Sequence, residues 1–287
     1  MMIMREIFNE TYDEERALYN LKDALVKDCH FTGPADGESV LKEARNIDVQ
    51  NCIFSLRYPM WHDVNYKLSN SNLDELTRAP LWYTKEGIID NVIISSVKAL
   101  RESENIEVRN SKIDSREFGW KCQGIQVLDS KINSEYIFLD SKDIKILNLD
   151  FTGKYSFQYT ENVVIENSNL DTKDAFWHSK NALVKNSVIK GEYLGWFSDG
   201  LTLINCKIIG TQPLCYCKNL KLVDCEMVDA DLAFEYSDVV ATIKGSVDSI
   251  KNPRSGKITV EGVSKIIKEG SIMEDNCVIE VLDKRKR

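Results

Sequence analysis

The apolar and polar residues of this chain recur with a period of 19 residues over most of its length. Written from Asn105 in lines of 19, seven consecutive lines align without a gap as far as Ser237. Four upstream units follow the same template, and they begin at Asp23, Asn46, Asn65 and Glu86. We number the repeat positions from the first residue of each line. A fixed period of this kind predicts a solenoid in which each repeat stacks on the previous one.

Each repeat carries the pattern of short strands joined by turns. Apolar residues occupy repeat positions 2, 4 and 9, as in Ile106, Val108 and Ile113. Their alternation at positions 2 and 4 predicts a half-buried strand, and positions 14 to 18 are predicted to form a third extended segment. Position 6 is Asn or Asp in eleven successive units, which indicates a repeated turn, because these side chains tolerate a left-handed backbone. Position 7 is small, chiefly Ser or Cys.

This pattern predicts an all-β protein with a single-stranded right-handed parallel β-helix. We expect about 12 rungs, a 19-residue repeat and a ladder of Asn and Asp turns. Residues 1–22 are predicted to be an N-terminal cap, because NETYDEERALYN has the pattern of a short helix that would cover the first open edge. Residues 23–237 hold the β-helix repeats. Residues 238–287, where the pattern loosens, are predicted to form terminal rungs and a C-terminal cap of the same domain.

Seven segments carry a resemblance to a known family, namely GESVLKEARNI, YPMWHDV, APLWYTK, DAFWHSKN, GEYLGWFSDGLTLINC, LAFEYS and NPRSGKI. The chain resembles the pectin-lyase-like right-handed β-helix proteins. Within them it is similar to an uncharacterised bacterial group, domain-of-unknown-function family three-seven-three-seven. The resemblance implies the fold and supplies no established activity, so no catalytic residue is carried over. The wider pectin-lyase-like group implies a carbohydrate ligand.

Composition narrows the classes of partner. The net charge is −8 and the pI is near 5.1, which argues against nucleic-acid binding, since that needs a basic face. The N-terminal stretch lacks the pattern of a secretory signal, and no window of apolar residues is long enough to span a membrane. Eight cysteines in such a chain indicate free thiols in a reducing compartment. We therefore predict a cytoplasmic protein with no cofactor, no metal site, no membrane contact and no nucleic-acid partner.

Repeat positions 15 to 17 carry most of the candidate chemistry. All five tryptophans fall at position 16. Since neighbouring residues of a strand face opposite sides and burying the charges of position 17 would be costly, we predict inward tryptophans and outward positions 15 and 17. The outward face is then aromatic and polar, and it suits a sugar or a protein partner. Its candidate substrate-binding residues are Tyr159, Phe157, Phe176, Phe197, Tyr216 and Glu235.

The catalytic candidates on this face are Asp140, His178 and Lys121. Asp140 and His178 would lie two rungs apart, about 10 Å, which is near the carboxyl separation of inverting glycosidases. The alternative is that Lys121 and Asp140 form an ordinary ion pair between rungs and that His178 is a stacked polar residue. Two functions stay open. One is a protein that binds or modifies carbohydrate, and the other is a non-enzymatic scaffold that binds a protein or a second copy of itself.

Overall fold

The computed structural model describes residues 5–33 and 37–282 of the 287. Residues 1–4, 34–36 and 283–287 of the predicted caps and repeats lie outside this range. The chain forms a parallel β-solenoid of about 14 turns with about 19 residues per turn, which confirms the predicted fold with slightly more turns than expected. It divides into two compact units with the boundary between Lys145 and Ile146.

The regular elements described in the first unit are one short 3-10 helix, Glu75–Thr77, and strands. The strands are β1 Arg5–Phe8, β2 Thr11–Tyr12, β3 Lys22–Lys27, β4 His30–Thr32, β5 Arg45–Gln50, β6 Ile53–Ser55, β7 Met60–Trp61, β8 Val64–Ser69, β9 Asn72–Leu73, β10 Leu81–Trp82, β11 Lys85–Asp90, β12 Ile93–Lys98, β13 Leu100–Arg101, β14 Glu104–Arg109, β15 Lys112–Phe118, β16 Gln126–Leu128, β17 Lys131–Ser134 and β18 Tyr136–Ile137. Strand β19, Lys142–Leu147, contains the boundary.

The regular elements described in the second unit are all strands. They are β20 Asp150–Gly153, β21 Glu161–Glu166, β22 Asn169–Asp171, β23 Lys180–Lys185, β24 Val188–Lys190, β25 Thr202–Ile204, β26 Lys207–Ile209, β27 Leu220–Val228, β28 Asp238–Lys251, β29 Ser255–Ile267 and β30 Val278–Val281. The last three of these, where the repeat loosens, continue the parallel pairing.

The core forms because like residues stack from turn to turn. Strands β11 and β14 pair in register with Ile89 opposite Val108, and β22 and β24 pair with Leu170 opposite Ile189. All four of these side chains are buried. A single turn has no partner for its apolar positions, so the stack of turns provides the burial that stabilises each one.

The ladder of turns at position 6 is confirmed. All eleven residues have a left-handed φ between 47° and 55°. They are Asp28, Asn51, Asn70, Asn91, Asn110, Asp129, Asn148, Asn167, Asn186, Asn205 and Asp224. Side-chain amides connect some successive turns, and Asn91 Nδ2 donates to Asn70 Oδ1 at 2.7 Å. Asn and Asp therefore occupy this position because they tolerate its left-handed backbone conformation.

A second left-handed ladder lies at position 1, which the sequence analysis did not identify as a turn. Its φ values run from 50° to 76°. Its members are Asp23, Asn46, Asn65, Glu86, Asn105, Gly124, Asp143, Asn162, Asn181, Gly200 and Asn219. The sequence carried the signal, because ten of these eleven residues are Asn, Asp or Gly.

Small side chains at positions 7 and 18 connect the turns inside the solenoid. Ser111 Oγ accepts the Val92 N–H at 3.1 Å, and Ser141 Oγ accepts the Cys122 N–H at 3.0 Å. All eight cysteines are buried free thiols, as expected. The hydroxyls therefore satisfy amides that the parallel ladder alone would leave unpaired.

Two predicted elements were wrong. The N-terminal stretch expected to be helical contains strand β2 and turns, and β1 pairs in register with β3, with Ile7 opposite Val26. Residues 5–22 are thus part of the solenoid's own stacking, because Ile7 is buried in the same core. Among the described residues, positions 15 and 16 of the third extended segment form the two-residue strands β7, β10 and β13 in the first unit. In the second unit, residues 156–159, 175–178 and 194–197 are turns instead.

Candidate functional site

The turns at positions 15 to 17 decide which side chains reach solvent. In the second unit, Phe157 and Phe176 at position 15 have no exposed surface, and their rings stack at 5.0 Å. The prediction that these two residues belong to an outer face was therefore wrong. The reason is the backbone: both Phe176 and His178 have a left-handed φ, of 60° and 54°. Strict alternation of faces holds only for extended strands, so positions 15 and 17 lie on opposite sides here.

The tryptophans at position 16 do not line the core, and that prediction was also wrong. All five are half-buried. The Trp177 Nε1–H donates to the Tyr193 carbonyl and the Trp196 Nε1–H to the Gln212 carbonyl, both at 2.7 Å. An indole N–H needs such a partner when it leaves water. These tryptophans therefore lie at the edge of the solenoid and connect their turn to the next one by a hydrogen bond.

Position 17 faces outward and carries a row of rings that we call the aromatic ladder, consisting of Tyr159, His178, Phe197 and Tyr216. Successive ring centroids are 5.0, 5.0 and 4.9 Å apart, and the planes lie within 15° of parallel. Tyr159 is 55% exposed and Phe197 43% exposed. These separations are those of offset-stacked rings. The ladder is thus a continuous aromatic surface with one ring per turn.

A row of alternating charges runs at position 19, two residues along the chain from the aromatic ladder. Its members are Glu161, Lys180, Asp199 and Lys218, and they occupy equivalent positions on successive turns. The row has two acids and two bases. Each ring of the aromatic ladder therefore has a charged side chain two residues further along the chain, and the four charges cancel.

The far end of the aromatic ladder differs from the prediction. The Tyr216 N–H donates to the Glu235 carbonyl, as the His178 N–H does to Trp196. This places Glu235 at position 16, because one extra residue shifts that turn, and Tyr236 takes position 17 with its ring 5.6 Å from Tyr216. Glu235 instead pairs with Lys251 at 2.8 Å. Burial and then the Glu235 charge raise the pKa of Tyr216, so its hydroxyl remains a hydrogen-bond donor.

Asp174 is a buried acid near the aromatic ladder that the sequence analysis missed. Burial raises the pKa of Asp174, Lys173 opposes this, and Glu192 adds to it. Its Oδ1 has no hydrogen-bond partner in the described chain. Lys173 forms an ion pair with Glu192 at 3.0 Å. Nothing in the repeat pattern marks Asp174 as buried, since position 13 carries Tyr in three turns and the acids Glu117 and Asp231 in two others.

The three catalytic candidates all occupy position 17. Lys121 and Asp140 are exposed in the first unit, and His178 stacks between Tyr159 and Phe197 in the second. No ion pair joins Lys121 and Asp140 among the described residues, so the alternative that treated them as a salt bridge was wrong. The stacking expected for His178 under that alternative is present. A catalytic role for these three residues stays a prediction.

The first unit carries a different set of side chains at the same repeat positions. Trp61 and Trp82 stack at 5.2 Å, and the Arg101 guanidinium lies over Trp82 at 5.0 Å and over Trp120 at 5.4 Å. At position 17, His62 stacks on Tyr83 at 4.8 Å, and the row continues with Glu102, Lys121 and Asp140. Aromatic stacking there stops after two rings.

In residues 5–33 and 37–282, no group of three or more His, Cys, Asp and Glu side chains is placed to hold a metal ion. No helix in these residues has the length and apolar character needed to cross a membrane.

The stacked turns, the left-handed ladders and the outward aromatic row define a parallel β-solenoid protein with an exposed side-chain surface. Residues 5–280 match the model of the family described as "Protein of unknown function (DUF3737)", and the chain belongs to that family. The resemblance drawn from the sequence is thereby confirmed. A search of curated proteins found no match.

Three solved structures match the chain at low identity. PfbA, a surface adhesin of Streptococcus pneumoniae, is 11% identical with a TM-score of 0.42, over 78% of this chain and 72% of that one. The catalytic domain of a GH87 alpha-1,3-glucanase is 8% identical with a TM-score of 0.41, over 97% and 64%. The periplasmic alginate epimerase AlgG is 7% identical with a TM-score of 0.30, over 91% and 77%. Likeness at this level carries no information about activity.

Proposed function

We propose that this protein binds carbohydrate on the aromatic ladder of the second unit. The observation that carries the proposal is the row of four offset-stacked rings, of which Tyr159, His178 and Phe197 are exposed and Tyr216 is half-buried. Offset stacking leaves part of each ring face uncovered, and the C–H groups of a pyranose pack well on such surfaces. The Tyr159 and Tyr216 hydroxyls and the His178 ring nitrogens offer hydrogen bonds to sugar hydroxyls.

The spacing of the rings favours a linear ligand. Successive turns of a parallel solenoid are about 4.8 Å apart, and the rings follow this spacing closely. A linear chain of hexopyranose units advances by a similar length per sugar. Each sugar of a bound chain would therefore meet one ring and one charged side chain of position 19.

Binding is better supported than turnover. Glycoside hydrolysis ordinarily uses two carboxyl groups on opposite sides of the scissile bond. The aromatic ladder has no carboxyl group, and Glu161 and Asp199 alternate with Lys180 and Lys218 beside it. We therefore assign the aromatic ladder to recognition.

A glycan array tests the proposal. The wild-type protein is expected to bind a set of linear glycans, and His178→Ala and Phe197→Ser are expected to lose binding to at least one of them. His62→Ala is the matched control, because His62 occupies the same left-handed position in the first unit. Asp140→Asn reports whether this predicted residue takes part. Absence of glycan binding by the folded wild type, or equal signals for His178→Ala and His62→Ala, would refute the proposal.

A second candidate function is self-association through the same surface. It is favoured by Phe197, which has no polar atom and is 43% exposed in the middle of the aromatic ladder. Exposed apolar surface rimmed by charge is common at protein interfaces. Sedimentation of the wild type and Phe197→Ser distinguishes the two. A dimer that Phe197→Ser dissociates, together with a silent glycan array, would favour the scaffold.

A further inference from the structure

The first unit contains an open groove of about 660 Å³ that the proposed function does not use. We call it the asparagine groove, because its wall contains four left-handed residues of position 6 and Asn9. Asn9 has a φ of 54° and its N–H donates to the Lys27 carbonyl, as the Asp28 N–H does to Gln50, so it is the equivalent residue of the preceding turn. Its lining residues are Asn9, Asp28, His30, Asn51, Cys52, Ile53, Asn70, Ser71, Asn72, Asn91 and Ile93.

The two walls of the asparagine groove differ in chemistry. Position 6 gives one wall of amides, and position 8 gives the other, which includes Ile53 and Ile93 at 38% and 51% exposed. Position 7 forms the floor, where Cys52 and Ser71 turn their side chains inward. Asp28 is the sole acidic residue of the lining and no lysine or arginine belongs to it. The groove therefore suits an uncharged ligand with both polar and apolar surfaces.

Backbone N–H groups at position 8 and carbonyls at position 7 of the groove already pair between turns. The Ile53 N–H donates to the Cys29 carbonyl at 3.0 Å, the Asn72 N–H to Cys52 at 2.9 Å and the Ile93 N–H to Ser71 at 3.0 Å. A peptide that added as a strand would need unpaired N–H and C=O groups. Its residues would also advance by about 3.3 Å, which does not match the spacing of the turns.

The amide wall keeps free hydrogen-bonding capacity. Each Asn side chain has two N–H donors and two acceptor lone pairs. Asn91 Nδ2 donates to Asn70 Oδ1, and Asn51 Nδ2 donates to Asp28 Oδ1. Each such bond uses one donor and one acceptor, so the wall still offers amide N–H and C=O groups along its length. Hydroxyl groups, which both donate and accept, are the partners that fit this alternation.

We propose that the asparagine groove binds a neutral linear oligosaccharide of about four hexose units. Five turns line its position 6 wall, and four intervals of about 4.8 Å give a length of about 19 Å. Amides hydrogen-bond the hydroxyls while Ile53 and Ile93 contact the C–H groups. This inference is independent of the aromatic ladder, because all of its residues belong to the first unit.

Calorimetry with a panel of neutral tetrasaccharides tests the inference. The panel contains β-1,4-, β-1,3- and α-1,4-linked glucans and a β-1,4-linked mannan, each titrated at up to about 1 mM. At least one is expected to bind the wild type. Asn70→Gly removes one amide while keeping a residue that accepts a left-handed φ, and it is expected to weaken binding about tenfold. Ile93→Ser is expected to weaken it by a similar factor.

Asn167→Gly is the matched control, because it changes position 6 of the second unit and is expected to leave this binding unchanged. Binding that Asn70→Gly and Ile93→Ser do not weaken would overturn the inference, as would failure of every tetrasaccharide to bind. Extended neutral peptides serve as the competing probe, and their binding with the same variant pattern would overturn the saccharide assignment. Saccharide binding that only His178→Ala abolishes takes place on the aromatic ladder. Saccharide binding that only Asn70→Gly weakens takes place in the asparagine groove.

Discussion

The two units build the same turn and place different side chains on it. In both units position 17 is left-handed and outward, as at Tyr83 and Phe197. In both, indole N–H groups at position 16 donate to a backbone carbonyl of the next turn. The first unit then continues position 17 with Glu102, Lys121 and Asp140, whereas the second carries four stacked rings. The backbone therefore fixes where a side chain points, and the residue chosen there sets the surface chemistry.

The largest expected effect on stability tests whether position 15 or position 17 of the second unit lies in the core. Phe176→Ala should lower the free energy of unfolding by about 3–5 kcal/mol, because it empties a fully buried site stacked on Phe157. His178→Ala, two residues away but exposed, should cost less than about 1 kcal/mol. Urea unfolding of both variants measures the difference. Equal losses would mean that positions 15 and 17 are not on opposite sides.

The opposite orientations of positions 15 and 17 show which features of the fold the sequence can predict. The period, the strands at positions 2, 4 and 9 and the turn at position 6 were predictable, because Asn and Asp report a left-handed backbone without help from neighbours. Positions 15 and 17 are left-handed too, but several of their residues are Phe or Tyr, which rarely adopt that conformation. The stack of turns imposes their conformation, so residue type does not indicate it. The rule that neighbouring residues face opposite sides therefore fails at these positions.

The outward direction of position 17 was still predictable, because its charges in the first unit exclude burial. The ring stacking of Tyr159, His178 and Phe197 also follows from their 19-residue spacing. The burial of Asp174 and the extra residue before Glu235 were not predictable, since residue type at position 13 does not report burial and the insertion occurs in a single turn. A periodic sequence therefore predicts the features that recur in every turn, and it does not predict a feature that occurs in a single turn.

An acid buried in the first unit gives the next largest effect. Position 18 carries Asp63 there, whereas the second unit has Ser179 and Ser198. Asp63 Oδ1 accepts the Ala44 N–H at 2.9 Å, Oδ2 has no partner among the described residues, and burial raises the pKa of Asp63 well above its usual range. Asp63→Ser should keep the amide satisfied and stabilise the protein by about 1–3 kcal/mol near neutral pH.

The sign of the pH dependence follows from the raised pKa of Asp63. Below the unfolded-state pKa of about 3.9 both states are protonated, and Asp63 adds no dependence on pH. As the pH rises, the unfolded state ionises first, so wild-type stability falls relative to Asp63→Ser until the folded-state pKa is reached. Unfolding of both proteins from about pH 4 to about pH 8 measures this. A difference that stays constant with pH would contradict it.

Arg101 distinguishes the tryptophan row of the first unit from that of the second. Its guanidinium lies between Trp82 and Trp120, and the equivalent residue in the second unit is Gln158. Arg101→Gln should therefore cost about 1 kcal/mol, the contribution of a partly buried cation–π contact. Gln158→Ala, which removes a donor to the Asp174 carbonyl, should cost a similar amount through a lost hydrogen bond. If Arg101→Gln leaves unfolding unchanged, the guanidinium does not stabilise the row.

The smallest effect concerns position 6, where the two units are alike. Asn110 and Asn167 both have a φ of 52° and are exposed. Replacement of either by Gly should change the free energy of unfolding by less than about 0.5 kcal/mol, because Gly accepts this φ without strain. Replacement by Ala should cost about 1 kcal/mol, because a Cβ is strained there. Thermal and urea unfolding of the four variants should give the same ordering in both units. A unit in which Ala costs no more than Gly would contradict the strain that we assign to a Cβ at this φ.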